Sequence, residues 1–143
     1  MGNALNGSMY TYEMAPCLTL MEAEVLEHMR NIFEWEKIDG LMTPGGSMAN
    51  FYAIQVAKHW KFPETKMKGI FGMKPLQIFT SNVSHYSVSK GAFFCGLGMD
   101  NVVKVATDSA GRMIPAELEK AVQKSLDEGN NPLMVNATVG TTV

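Results

Sequence analysis

Pro75-Leu76-Gln77-Ile78-Phe79-Thr80 is a short apolar run of strand length, and the segments after it settle the architecture. Tyr86 to Phe94 reads as a helix, closed by Gly96 and Gly98. Val102-Val103-Lys104-Val105-Ala106 is β-branched and predicts a second strand. After the turn Asp108-Ser109-Ala110-Gly111, Pro115 opens a helix carrying Leu118, Val122 and Leu126 at spacings of four. Gly129-Asn130 ends it, and Pro132-Leu133-Met134-Val135-Asn136-Ala137 is a third strand. This alternation predicts an α/β fold, a mostly parallel sheet with flanking helices. Three strands are few for such a sheet, which needs both faces and both neighbours covered. The chain therefore reads as a truncated part of a larger domain.

Upstream, Leu18, Met21, Val25, Met29, Ile32 and Phe33 recur at three and four residues, an amphipathic helix that should stop before Asp39-Gly40. Thr43-Pro44-Gly45-Gly46-Ser47 is a break, and a second helix can start at Ser47. Met48, Ala49, Phe51, Tyr52, Ala53, Ile54, Val56 and Ala57 make it apolar on most sides, which predicts a buried helix. Pro63 ends it or opens a short turn through Lys68.

The length, 143 residues, is that of one domain able to bury a core. Twelve Lys+Arg against fourteen Asp+Glu leave a charge of -2, and no basic patch stands out, which disfavours nucleic acid. No apolar run approaches the roughly 18 residues of a membrane span. Residues 1–7 lack the features of a signal peptide, and Asn6 spoils a myristoylation start. Cys17 and Cys95 are too few for a disulfide framework or a zinc site and read as buried small hydrophobes. The methionines at helical spacings read as core filler. The expectation is a reduced, cytoplasmic domain.

Three segments fall where chemistry would gather. Gly45-Gly46-Ser47 precedes a helix, where free N–H groups and the helix dipole suit a phosphate; taken alone such a pair is more often a plain turn, and it lacks the ending of a P-loop. Thr80 to Ser87 comes directly after a strand, the usual ligand edge of an α/β sheet. His85 there could stack on a planar cofactor or move a proton, or simply cap the surface. Ala137-Thr138-Val139-Gly140-Thr141-Thr142 suits phosphate or ring contacts, or is turn chemistry. His28 and His59 read as solvent-side bystanders. No Ser-His-Asp, paired-carboxylate or metal-ligand constellation competes.

Taken in order, Tyr10-Thr11-Tyr12-Glu13-Met14-Ala15-Pro16, Thr43-Pro44-Gly45-Gly46-Ser47-Met48-Ala49-Asn50, Phe79-Thr80-Ser81 with Ser84-His85-Tyr86-Ser87, and Ala137 to Val143 closely resemble the group II pyridoxal-phosphate decarboxylases. The likeness runs through essentially the whole chain, in the branch of the glutamate, cysteine sulfinate and aspartate 1-decarboxylases. It implies that residues 1–143 are the first part of a fold-type I large domain, the cofactor domain, of an enzyme that forms homodimers. Gly45, Gly46 and Ser47 would hold the phosphate of pyridoxal 5'-phosphate, His85 would stack on its ring and place the substrate carboxylate, and Thr142 would lie against the cofactor. Ser8, Tyr10, Ser47 and the His85-Tyr86-Ser87 run lean toward cysteine sulfinate or aspartate, giving hypotaurine or β-alanine, with Ser8 and Tyr10 offering hydroxyls to the substrate. Glutamate decarboxylation to GABA is the alternative within the branch.

The likeness has departures. Gly7 replaces a usual Thr, Ala49 a frequent Ser and Cys17-Leu18 a usual Val-Phe, and the stretch from Trp35 to Gly40 is altered. The family's Schiff-base lysine and the aspartate paired with the pyridine nitrogen are expected downstream of residue 143; Lys90 and Lys104 do not match. The chain alone is accordingly expected to be inactive. Two readings of other classes stand beside the enzyme: a non-catalytic remnant that binds a full-length subunit, and a nucleotide-binding α/β module.

Overall fold

The computed structural model describes residues 11–37 and 39–140, in two compact units with their boundary between Thr43 and Pro44. The first unit is built on helix α1, Pro16–Phe33, with proline in its first turn, where a missing N–H costs nothing. It ends at Glu34, whose φ of 55° is left-handed and unusual for a residue with a side chain. Trp35 N–H donating to Arg30 O at 3.1 Å, and the Phe33 and Trp35 rings stacked at 4.9 Å, hold that end in place. The amphipathic stripe is present, but no residue of α1 is buried: Met21, Val25, Met29 and Ile32 are all exposed.

The second unit contains α2 (Gly46–Lys61), α3 (Thr65–Lys68), β1 (Leu76–Ser81), α4 (Ser87–Phe94), β2 (Val102–Val105), α5 (Pro115–Asp127) and β3 (Asn131–Asn136), with a 3-10 turn, Met99–Asn101, before β2. The expected strand-helix alternation is present, with bounds moved by a residue or so. The strands form one parallel sheet in the order β2-β1-β3. Ser81 pairs with Val105 and Thr80 with Asn136, so the carboxyl ends of the three strands lie at one edge. The β1–β3 register shifts between Gln77 and Ile78, opposite Pro132. Proline cannot donate to the ladder, and edge positions and bulges are where a sheet tolerates it.

Central β1 is buried along most of its length because both faces are covered. Ile78 joins Ile54 of α2 and Val88 and Ala92 of α4 in the main core, with Leu76, Leu97, Val102 and Leu133. Its neighbour Phe79 points to the other face, as successive strand residues must. Helix α5 packs along all three strands without entering that core, and so covers this second face.

Three expectations need correction. Helix α2 is not a buried helix: only Ile54 is buried, because one face meets α4 and β3 while Tyr52, Val56 and Trp60 point outward. The methionines at helical spacings are not core filler where the structure describes them as exposed, as at Met21 and Met29; among the described residues, Met73 and Met134 pack against the core. Cys17 is exposed in the first turn of α1, whereas Cys95 is buried as expected.

Gly91 sets the separation of α2 and α4. A Cβ there would meet Ile54 Cδ1 at 2.6 Å and Phe51 Cδ1 at 3.0 Å. Gly91→Val is expected to destabilise the fold by about 1–3 kcal/mol through overpacking. Adding Ile54→Ala should cost less than the sum of the two single changes, as read by urea denaturation. Burial pushes the Cys95 thiol up from its ordinary pKa, with the charge of Lys58 opposing the shift. A raised folded pKa means that the buried thiol's contribution to stability is intact below about pH 8.5 and is lost as pH rises past that point. Iodoacetamide should accordingly label Cys17 in the native protein and Cys95 only after unfolding, with the labelled peptides read by mass spectrometry.

Candidate active site

The first component is the amino end of α2. Gly45 caps it with φ 99° and ψ 157°, a region that essentially only glycine occupies. The first backbone bond back into the helix runs from Ala49 N–H to Gly45 O at 3.2 Å, so the N–H groups of Gly46, Ser47 and Met48 point out of the helix end. Among the described residues, a Cβ placed on Gly45 or on Gly46 would meet no atom within 4 Å. An open glycine corner, outward amides, the dipole of a helix spanning 16 residues and the half-buried Ser47 side chain together suit a phosphate monoester.

The second component lies beyond β1. His85 is exposed in the loop that leads into α4, with its ring tilted against Tyr86 at 4.2 Å between centroids. Its Nδ1 lies 2.8 Å from Ser87 Oγ and accepts the Ser87 backbone N–H at 3.2 Å. Ser87 is fully buried, and its hydroxyl also accepts from Asn50 Nδ2 at 2.7 Å. Asn50 lies one turn along α2 from Gly46, on the same face. The glycine corner and the histidine are thus joined by a continuous chain of polar contacts, Asn50 to Ser87 to His85.

Smaller bonds shape the rest of the strand edge. Thr80 donates to Asn136 Oδ1 at 3.0 Å, Thr107 to Asn82 Oδ1 at 3.0 Å, and Lys104 Nζ to Ser84 Oγ at 3.0 Å. Lys90 Nζ sits over the Tyr86 ring, 5.1 Å from its centroid.

Of the residues expected at a site, Gly45, Gly46, Ser47 and His85 fall in the second unit, the first three at the end of α2 and His85 at the strand edge. Ser8, Tyr10 and Thr142 lie outside the described residues. Segment 137–140 continues from β3 at the same edge. His28 and His59 are exposed, His28 beside Glu24 at 3.2 Å, as expected of bystanders. Reading by sequence missed Asn50 and Ser87. The available signal was a single asparagine in a run of apolar helix residues, four places after Gly46. Among the described residues no helix is long and apolar enough to cross a membrane.

Residues 1–143 match the family described as the pyridoxal-dependent decarboxylase conserved domain. The chain is 47% identical over 140 residues to cysteine sulfinic acid decarboxylase of Rattus norvegicus, covering 98% of this chain and 28% of the rat protein. It is 48% identical over 143 residues to acidic amino acid decarboxylase GADL1 of Bos taurus, covering 100% of this chain and 27% of the bovine protein. The crystal structure of mouse CSAD superposes with a TM-score of 0.91 at 47% identity, over 99% of this chain and 30% of that one. The chain therefore spans a little over a quarter of the length of these curated relatives.

Gly45 and Gly46 should respond differently to the same added methyl group. Gly45→Ala is expected to cost about 1–3 kcal/mol in urea denaturation, because alanine is strained at that φ. Gly46→Ala sits in helical backbone, with no described residue in the way of the added methyl group, and should leave stability unchanged or raise it by up to about 1 kcal/mol.

Proposed function

Since the chain belongs to the pyridoxal-dependent decarboxylase family, we propose that its second unit forms the phosphate-holding and ring-stacking part of the cofactor domain of an acidic amino-acid α-decarboxylase. The observation that carries this reading is the linkage of the open glycine corner at Gly45 and Gly46 to His85 through Asn50 and Ser87. Bound there, pyridoxal 5'-phosphate supplies an electron sink for the carbon left when CO₂ departs.

The chain's own residues do the holding. Amides of Gly46, Ser47 and Met48, with the Ser47 hydroxyl, bind the phosphate, and the α2 dipole favours its charge. The His85 ring stacks on the cofactor plane and orients the substrate carboxylate that is lost. Thr142, beyond β3, lies against the cofactor in this reading, and Ser8 and Tyr10 meet the substrate side chain.

The substrate we infer is cysteine sulfinate or aspartate, giving hypotaurine or β-alanine. The names of the rat and bovine relatives support an acidic amino acid, and the hydroxyls of Ser8 and Tyr10 suit a sulfinate or a short carboxylate. The family likeness also supports a cytoplasmic homodimer as the working form.

A chimera tests this, with these residues replacing the matching segment of the rat decarboxylase. It should decarboxylate cysteine sulfinate or aspartate faster than glutamate. His85→Ala in that chimera should lower kcat by about a hundredfold or more, and Gly46→Val should weaken pyridoxal phosphate retention on dialysis without unfolding the protein. Activity of the His85 variant within twofold of its parent would remove the assigned role.

A further inference from the structure

The contacts around Ser87 fix more than the position of a ring. The Ser87 backbone N–H, whose direction is set by the main chain, donates to His85 Nδ1 at 3.2 Å. Nδ1 is therefore an acceptor, and the Ser87 hydroxyl, 2.8 Å from the same atom, can only donate its own proton to it. Having given its proton away, Ser87 Oγ has lone pairs to offer, and the group 2.7 Å from it is the Asn50 side-chain amide, which must present its NH₂. The polarity of these contacts is set by one backbone hydrogen, without reference to how the amide was oriented. Ser87 is almost wholly buried, so both of its side-chain bonds count.

Resting on the reading of His85 above, we propose that Asn50 and Ser87 are positioning residues whose side chains, acting with the Ser87 backbone N–H, hold the neutral His85 ring with its proton on Nε2. Ring and glycine corner are then aligned by one device, since Asn50 rides on the helix whose end would bind the phosphate. Nε2 carries no partner among the described residues, and His85 is exposed. The ring thus offers a substrate carboxylate a hydrogen-bond donor, and its only lone pair is committed to Ser87. As a neutral ring, His85 orients and steadies a carboxylate and does not take up a proton through Nε2.

Asn50→Asp is the discriminating variant, because it keeps the shape and reverses the direction of the contact between residue 50 and the Ser87 hydroxyl. A carboxylate at 50 accepts the Ser87 hydroxyl proton, which takes one of the two donors away from Nδ1 and leaves the Ser87 backbone N–H alone to favour the Nε2–H form. Tautomers are read from ring ¹⁵N shifts in alkaline solution, on the full chain and on the cofactor-free chimera, with His85→Gln assigning the signal. The parent is expected to show the Nε2–H form alone, Ser87→Thr to keep it, and Asn50→Asp to show a mixture of the two neutral forms, because one of the two donors to Nδ1 is gone. In the loaded chimera Asn50→Asp should lower kcat roughly tenfold, the worth of one good hydrogen bond, with KM changed less than about twofold. Melting curves check that the variants are folded, and Ser87→Ala serves as the second variant if Asn50→Asp is not. Unchanged ring shifts together with unchanged kcat in both variants would overturn the proposal. Full activity in His85→Ala would sink the underlying role of His85 instead, while the ring spectra would still decide the polarity of the contacts.

Discussion

The approach of α2 to α4 at Gly91 is the constraint on which the candidate site depends. Without a Cβ at 91, the Ile54 and Phe51 side chains fill the space against the α4 backbone. Ile54 can then reach the core formed by β1 and α4, and Asn50, one turn earlier, comes within hydrogen-bonding distance of Ser87. Stacking of Phe51 on Phe94 at 4.9 Å adds a second point of registration along the same interface. A helix end and a loop that are far apart in sequence are thereby held together by the packing of one small residue.

The polar part of this interface has a different role from the apolar part. Burial of Ile54, Ile78, Val88 and Ala92 stabilises the unit without preferring one detailed geometry over a near neighbour. The Asn50–Ser87–His85 contacts do prefer one, because Ser87 is buried and a slip would leave its hydroxyl unpaired at a cost of about 1–3 kcal/mol. Specificity of arrangement therefore comes from the polar contacts, and adhesion from the apolar ones. The candidate site sits where the two meet, with His85 in the loop beyond the carboxyl end of β1.

Much of this was legible in the sequence because periodicity and turn chemistry are local. The β-branched run 102–105 and the four-residue spacing of Leu118, Val122 and Leu126 marked their elements to within a residue or so. The Gly45-Gly46 pair announced a break before a helix, and the order of motifs pointed to the family. Exposure was less legible. Hydrophobic residues around α2 predicted burial on most sides, but a sequence does not say how many neighbours a helix has, and Tyr52, Val56 and Trp60 face outward. The same gap explains the exposed methionines and Cys17. A period shows which residues share a face, while the partner for that face is a property of the tertiary structure.

The alternation of strands and helices, the glycine corner, and the presence of His85 after a strand were set by the order of residues alone, since each depends on neighbours a few positions away. Only in three dimensions does β1 become the central strand, does Gly91 admit Ile54, and does Asn50 meet Ser87. Asn50 and Ser87 stand 37 positions apart, and no local preference encodes such a meeting. It arises when apolar burial brings α2 and α4 to the same face of the sheet, and it is kept because a buried hydroxyl needs both of its partners.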